Sequence, residues 1–363
     1  MKPLRTFFII LVFGIGPVVT IHAEEVNIKA GEPGSLMNFG MAVATSGNTL
    51  IVGATSNQGS SGNVYIFEHR KNSWGQQARI NAKDAAVKDW FGWAVAIDGN
   101  TAVVGAYEDG GQGQNQGGGI AKGPGFVYVF VRGAKEWTEQ ARLSAKDKAP
   151  VDRFGNSVSI SGDRILVGAP FDDDAGENSG STYLFERQGE TWREKAKLTA
   201  SDAAEGDQFG WDVGIDGDTA VIGAPLDDDA GSKSGAAYIF VRNADGTWAE
   251  QTKLTSSDLE AGDRLGTSVD ISRLSNAYAI VGAPFDDDGD SKSGSAYVFV
   301  RNGNAWTEQD KLAATDAEAG DNFGISVAID VNRALIGANL DDGDRFSNVG
   351  GAYAFLRVGS EVD

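Results

Sequence analysis

Short runs of carboxylates are the first groups in this chain that could do chemistry: Asp172-Asp173-Asp174, Asp227-Asp228-Asp229, Asp286-Asp287-Asp288 with Asp290, and Asp341-Asp342 with Asp344. Acidic side chains two residues apart can share a hard cation through oxygen, and Asp286, Asp288 and Asp290 imitate the opening of a calcium loop. No acidic residue stands where such a loop places its closing bidentate ligand. Two readings follow for Asp172, Asp174, Asp227, Asp229, Asp286, Asp288 and Asp290. They bind calcium, or they shape turns by accepting from nearby backbone N–H groups. Paired carboxylates also serve glycoside and metal-assisted hydrolysis, which keeps a hydrolase in view. Nucleophilic chemistry has less to draw on, because the chain has no cysteine and, after residue 23, a single histidine, His69.

Indoles are the second resource. Trp90, Trp93 and Trp211 could stack on a sugar or anchor a peptide. Position 93 shares strand parity with Val95 and Ile97, so packing between structural units is the alternative.

The elements that position these groups are announced by a repeat. Phe-Gly recurs at Phe39, Phe91, Phe154, Phe209 and Phe323, with Leu265-Gly266 standing in once, at spacings of 52, 63, 55, 56 and 58 residues. Gly-Ala follows, as at Gly53, Gly105, Gly168, Gly223, Gly282 and Gly337, with Pro170, Pro225 and Pro284 completing three copies. Each copy then carries Tyr-x-Phe, as at Tyr238/Phe240, and the first five add a Trp with Ile or Leu six residues later. In the fourth copy the period-two alternation predicts strands over 209–215, 219–223, 236–242 and 248–254, the first two joined by the tight turn Asp216-Gly217. Four antiparallel strands per unit make a propeller blade. His69 fills the slot held by Arg132, Arg187, Arg242, Arg301 and Arg357 elsewhere, a scaffold position, which argues against a catalytic triad or a histidine-bound zinc.

The sixth unit stops after its third strand, and Ile28 lies eleven residues before Phe39, in the register of Leu143 before Phe154. Residues 24–29 are therefore expected to supply the missing fourth strand and close the ring. The expected fold is all-β, a propeller of four-stranded antiparallel blades, six in number with seven as the alternative. In an up-and-down blade the links from strand two to three and from strand four to the next blade emerge on one face. Asp84/Asp89, Asp147/Asp152, Asp202/Asp207, Asp258/Asp263 and Asp316/Asp321 occupy the second set of links and are expected mainly to cap turns. One face should be long-looped and negative. The second blade adds an enlarged Gly- and Gln-rich loop over 108–125, either a lid or a tolerated insertion.

With Phe-Gly and Gly-Ala-Pro in this order, the chain resembles the FG-GAP repeats of integrin α heads and their bacterial relatives from residue 25 to 357. The resemblance implies a propeller used for extracellular recognition and adhesion, often with bound calcium, and a seven-bladed ring in integrins. Those repeats place their calcium loop between the Phe-Gly and Gly-Ala-Pro strands, where this chain has only a short turn such as Asp216-Gly217-Asp218.

Lys2 and Arg5 before the apolar stretch 7–21, with Ala23 as the cleavage residue, read as a secretory signal over 1–23. The propeller then spans 24–358 and a short tail 359–363. No second segment of spanning length follows, so no stable membrane span is expected after cleavage. Removing Lys2 and Arg5 leaves 29 basic against 51 acidic residues, a formal charge of −22, which repels nucleic acid. The expectation is a secreted, periplasmic or surface-associated monomer that binds an extracellular protein or carbohydrate, with calcium as the cofactor in view and a propeller hydrolase as the alternative.

Overall fold

The computed structural model describes residues 28–30, 37–56, 61–71, 73–110, 123–134, 136–273, 277–330, 333–342 and 350–356. The segment 1–23 expected to be a secretory signal, the tail and most of the enlarged second-blade loop lie outside them.

Alternating apolar residues become strands, and each repeat becomes one antiparallel sheet in sequence order. Blade one is β1 (Met37–Ser46), β2 (Thr49–Ser56), β3 (Asn63–Arg70) and β4 (Ser73–Ile80). Blade two is β5 (Val95–Asp98), β6 (Thr101–Ala106), β7 (Phe126–Arg132) and β8 (Trp137–Leu143). Blade three is β9 (Ser157–Ser161), β10 (Arg164–Ala169), β11 (Ser181–Gln188) and β12 (Thr191–Leu198). Blade four is β13 (Val213–Asp216), β14 (Thr219–Ala224), β15 (Ala236–Arg242) and β16 (Trp248–Leu254). Blade five is β17 (Ser268–Ser272), β18 (Tyr278–Ala283), β19 (Ser295–Asn302) and β20 (Ala305–Leu312). Blade six has three strands, β21 (Phe323–Ile329), β22 (Arg333–Ala338) and β23 (Gly351–Leu356). The six sheets succeed one another in a propeller ring, and no helix occurs among the described residues.

The first strand of blade four begins later than its alternation predicts. Gln208 takes a φ of 58° and Gly210 one of 89°, so the chain turns through Phe-Gly before it straightens at Val213. Phe209 is thereby driven into the seam with blade three, where it is fully buried and meets Tyr238 and Phe240 edge-on at 5.4 and 5.9 Å. Gly223 explains the other half of the motif: a Cβ there would lie 2.0 Å from the carbonyl oxygen of Gly266 in blade five. The repeated glycines let neighbouring blades approach backbone to backbone. Gly223→Ala should cost about 2 kcal/mol or more, since backbone on both sides cannot yield. A thermal melt superimposable on that of the native protein would refute this role.

Backbone N–H groups of the inner strands that have no partner within their own sheet meet side chains of the preceding blade at three of the seams. Ser159 Oγ accepts from Ile215 N at 3.2 Å, Asp212 Oδ2 from Val269 N at 2.8 Å, and Asp270 Oδ2 from Ile329 N at 2.7 Å. Burial pushes the carboxyl groups of Asp212 and Asp270 up to about 6 and about 7, against the backbone bonds that favour their charge. An Asp raised in the folded state stays protonated there while the unfolded chain ionises near pH 4. Its contribution to stability is therefore present at low pH and fades as pH rises through 7. Because both side chains keep a rim of exposed surface, the effect is put at about 2 kcal/mol. Asp270→Asn should accordingly gain stability relative to the native protein between pH 5 and pH 8. Melts whose difference does not change with pH would refute it.

Successive inner strands pack together from β1 through β5, β9, β13 and β17 to β21. Among the described residues no comparable contact joins β21 to β1. Val43 on β1 is 62 % exposed where its counterpart Val95 is 8 % exposed, and Leu335 on β22 is 51 % exposed where Ile280 is fully buried. Of the closing strand expected over 24–29, residues 24–27 lie outside the described residues and 28–30 carry no strand. Ile28 and Ala30 nevertheless pack on Val52, Ala54, Tyr65 and Phe67 of blade one, as Leu143 and Ala145 pack in the seam between blades two and three.

Candidate functional site

The two sets of acidic links do converge on one face, and blades three, four and five build the same small structure there. In blade four the Tyr238 hydroxyl lies 2.8 Å from Asp202 Oδ1 and 2.6 Å from Asp227 Oδ2. Lys253, opposite Tyr238 on the neighbouring strand, places Nζ 2.9 Å from Asp202, 2.7 Å from Asp227 and 2.7 Å from Asp229. Blade three repeats the arrangement with Lys197 Nζ at 2.8, 3.0 and 2.5 Å from Asp147, Asp172 and Asp174. Blade five does so with Lys311 and Asp258, Asp286 and Asp288 at 2.8, 2.9 and 2.5 Å. Burial opposes each ammonium, yet its carboxylate partners outweigh that and hold all three lysines above their ordinary range. For the Tyr238 hydroxyl burial works in the other direction, and burial followed by the Asp227 carboxylate drives it up.

Asp147, Asp172 and Asp174, like Asp202, Asp227 and Asp229, bring ligand atoms within 4.8 Å of one another, close enough for a metal. The chain's own ammonium lies among them. Asp290 falls outside the cage and accepts instead from Ser291 N at 2.9 Å. Turn formation is present as well: Asp172, Asp227 and Asp286 accept from the N–H two residues on, at 3.2, 3.2 and 3.1 Å. Asp207, Asp263 and Asp321 cap turns as expected, each accepting from the N–H three residues before. The first acidic residue of a link takes another role: the side chains of Asp147, Asp202 and Asp258 engage a tyrosine and a lysine. Lysine was the missed member, although Lys197, Lys253 and Lys311 each stand one residue before the repeated Leu.

Blades one, two and six vary the cage. Arg142 replaces lysine in blade two, 2.9 Å from Asp84. In blade one Arg79 meets Asn63 at 2.8 Å, and among the described residues the buried Tyr65 hydroxyl has no hydrogen-bond partner. In blade six Tyr353 reaches Asp316 and Asp341 at 3.0 and 2.8 Å, and among the described residues no cation joins them.

Departures from the repeat gather in a second place. Where other blades carry Arg153, Gln208, Arg264 or Asn322 before Phe-Gly or Leu-Gly, blade two carries Trp90. Where others carry Pro170, Pro225, Pro284 or Asn339 after Gly-Ala, it carries Tyr107, and the next residue is Glu108 instead of Phe171, Leu226, Phe285 or Leu340. Trp90, Trp93 and Tyr107 form one cluster, with centroids 5.8 Å apart for Trp90–Trp93, 6.1 Å for Trp90–Tyr107 and 4.7 Å for Trp93–Tyr107. The turn that presents Trp90 has φ of 58°, and Arg153, Gln208, Arg264 and Asn322 share it, so the projection belongs to the repeat and only the side chain is new. Arg153 reaches across from blade three, its guanidinium 4.1 Å from the Phe171 centroid and 5.4 Å from that of Tyr107.

Glu108 completes the group. Burial raises its carboxyl above the ordinary range, against the pull of Arg153 and hydrogen bonds from the Trp90 and Tyr107 side chains. Burial, then Glu108, pushes the Tyr107 phenol up to about 12. Both indoles are half-buried, so position 93 serves packing while keeping surface. Trp211 stands two blades from Trp93 and among the described residues joins no aromatic cluster; its carbonyl accepts from Asn156 Nδ2 at 2.9 Å. Tyr107, Glu108 and Arg153 escaped the sequence reading, and the missing proline after Gly105-Ala106 was the available signal. His69 packs on its cross-strand partner Trp74 at 5.1 Å, away from this cluster on a strand end.

No helix among the described residues is long and apolar enough to cross a membrane. Comparison with curated proteins finds no match. A family model described as the FG-GAP repeat matches six segments, 23–67, 74–130, 137–185, 192–240, 248–299 and 306–355. From the second onward each begins at or close to the tryptophan that opens an outer strand and runs through three strands of the next blade, so family repeat and blade are offset by one strand. With these matches over most of its length, and with Phe-Gly and Gly-Ala forming the seams from blade one through to blade six, the chain belongs to the FG-GAP repeat family.

Proposed function

We propose that the chain is an exported recognition module, acting at the cell surface or outside the cytoplasm, that holds an extracellular protein or glycan at the rim where blade two meets blade three. An FG-GAP propeller is consistent with a binding or adhesion module. The observation that carries the location is the convergence of Trp90, Tyr107 and Glu108, which depart from the repeat, with Trp93 and with Arg153 from the next blade. A scaffold position tends to follow the repeat, whereas a ligand needs groups that break it. Calcium enters this reading as a competitor for the carboxylate cages, where it would have to displace lysine.

The test is a screen of the mature protein against extracellular-protein and glycan arrays, with and without calcium. Trp93→Ala should reduce any specific signal about tenfold or more, as expected for a central aromatic anchor. A ligand indifferent to Trp93 and Glu108 would place recognition elsewhere, and the absence of any specific ligand would leave a purely structural surface protein.

A further inference from the structure

We infer that the ligand of the blade-two rim is a neutral saccharide, an inference that rests on the recognition reading and gives it a chemical class. The site offers two kinds of group side by side. Trp90 and Trp93 supply half-buried indole surface, held edge-to-face at 5.8 Å and therefore rigid. A pyranose has an apolar C–H face that such a ring can cover, and its binding loses little side-chain entropy because the indoles are already fixed. Next to them stand one acceptor and one donor, the Glu108 carboxylate and the Arg153 guanidinium. Glu108 is tied to the Trp90 and Tyr107 side chains, and Arg153 is stacked on Phe171 at 4.1 Å. A carboxylate accepts from a sugar hydroxyl and a guanidinium donates to one, so the pair can engage hydroxyls of a single ring.

Two rivals fit less well. An aromatic or aliphatic peptide anchor wants a desolvated apolar pocket. Here it would bury Glu108 and Arg153 without offering either a hydrogen bond. Acidic glycans meet the wrong field: the chain carries a formal charge of −20, and Asp89, Asp109 and Asp152 are buried next to the rim residues. Neutral sugars carry no such penalty.

The experiment titrates the mature protein with neutral methyl glycosides and neutral oligosaccharides, with a polyuronate and a sulfated glycan alongside, read by calorimetry and tryptophan fluorescence. A single ring should bind at about 1 mM, tighter for oligomers. Glu108→Gln preserves size and Arg153→Lys keeps the charge while giving up the planar guanidinium over Phe171, and each should weaken binding about tenfold with a cooperative melt close to native. This keeps the test valid even if Trp93→Ala perturbs packing against Tyr107. A protein ligand that depends on Trp93, with no saccharide bound, overturns the inference and leaves the recognition reading standing. Saccharide binding that ignores both conservative variants, or that prefers the anionic glycans, overturns the inference as well. Silence on every array takes both down.

Discussion

Replacing Lys253 by methionine should lower the melting temperature of the mature protein more than any other single substitution on its acidic face, and millimolar calcium should return part of the loss. The ammonium lies within 2.9 Å of three carboxylates, and Asp227 is almost wholly buried beneath it. Methionine keeps most of the side-chain volume and removes the charge. Asp202, Asp227 and Asp229 would then converge with no cation among them, and leaving a buried charge without its partner is costly. The outer carboxylates are substantially exposed, so the loss is put at about 2 to 3 kcal/mol rather than the full value for a buried pair. Oxygen ligands of this kind suit calcium. The native protein should show little calcium response at this cage, because lysine already fills it. Differential scanning calorimetry with calcium and with chelator checks both halves. A calcium-dependent melt of the native protein would overturn the assignment of lysine as resident cation, and so would a Lys253→Met melt equal to native.

The second large effect is expected from the seam between blades six and one. Deleting residues 24–30 should lower the melting temperature by about 10 °C. Ile28 and Ala30 cover the face of blade one that carries Tyr65 and Phe67, a place that every other blade fills with its predecessor. Their loss exposes apolar surface worth about 2 to 4 kcal/mol. The residues just before Ile28 also precede blade one as β8 precedes blade three, and among the described residues the outer edge of β23 has no partner strand. Light scattering should then show association through that edge. A truncated protein that melts like the native one and stays monomeric would refute the closure.

Much of this molecule was legible in advance because its information is periodic. Strand order, blade number and the acidic face followed from Phe-Gly, Gly-Ala, Tyr-x-Phe and Trp recurring at fixed offsets, and six sheets appear where six repeats stand. Trp90 was identifiable as an exception to the repeat, and Trp93 as an indole at one of its variable positions. Three things were not. Lys253 reads as an ordinary strand residue, since nothing local says that Tyr238 faces it and that two loops far apart in sequence close over both. Arg153 belongs to blade three, and its approach to Tyr107 depends on how neighbouring sheets are rotated against each other. The exposed flanks of the last seam, at Val43 and Leu335, look in sequence like every other buried pair.

The amino-acid order by itself determined the local pieces: which residues alternate into strands, where glycine is needed, and which blade departs from the rest. Those are short-range properties, set by backbone sterics and by the face on which each side chain emerges. Tertiary structure alone decided which charges meet. Whether Asp227 holds calcium or lysine, and whether Trp93 finds Tyr107 and a neighbouring arginine, depends on distances of 3 to 6 Å between segments tens of residues apart. Electrostatic and packing energies change steeply over such distances, and sequence spacing does not fix them.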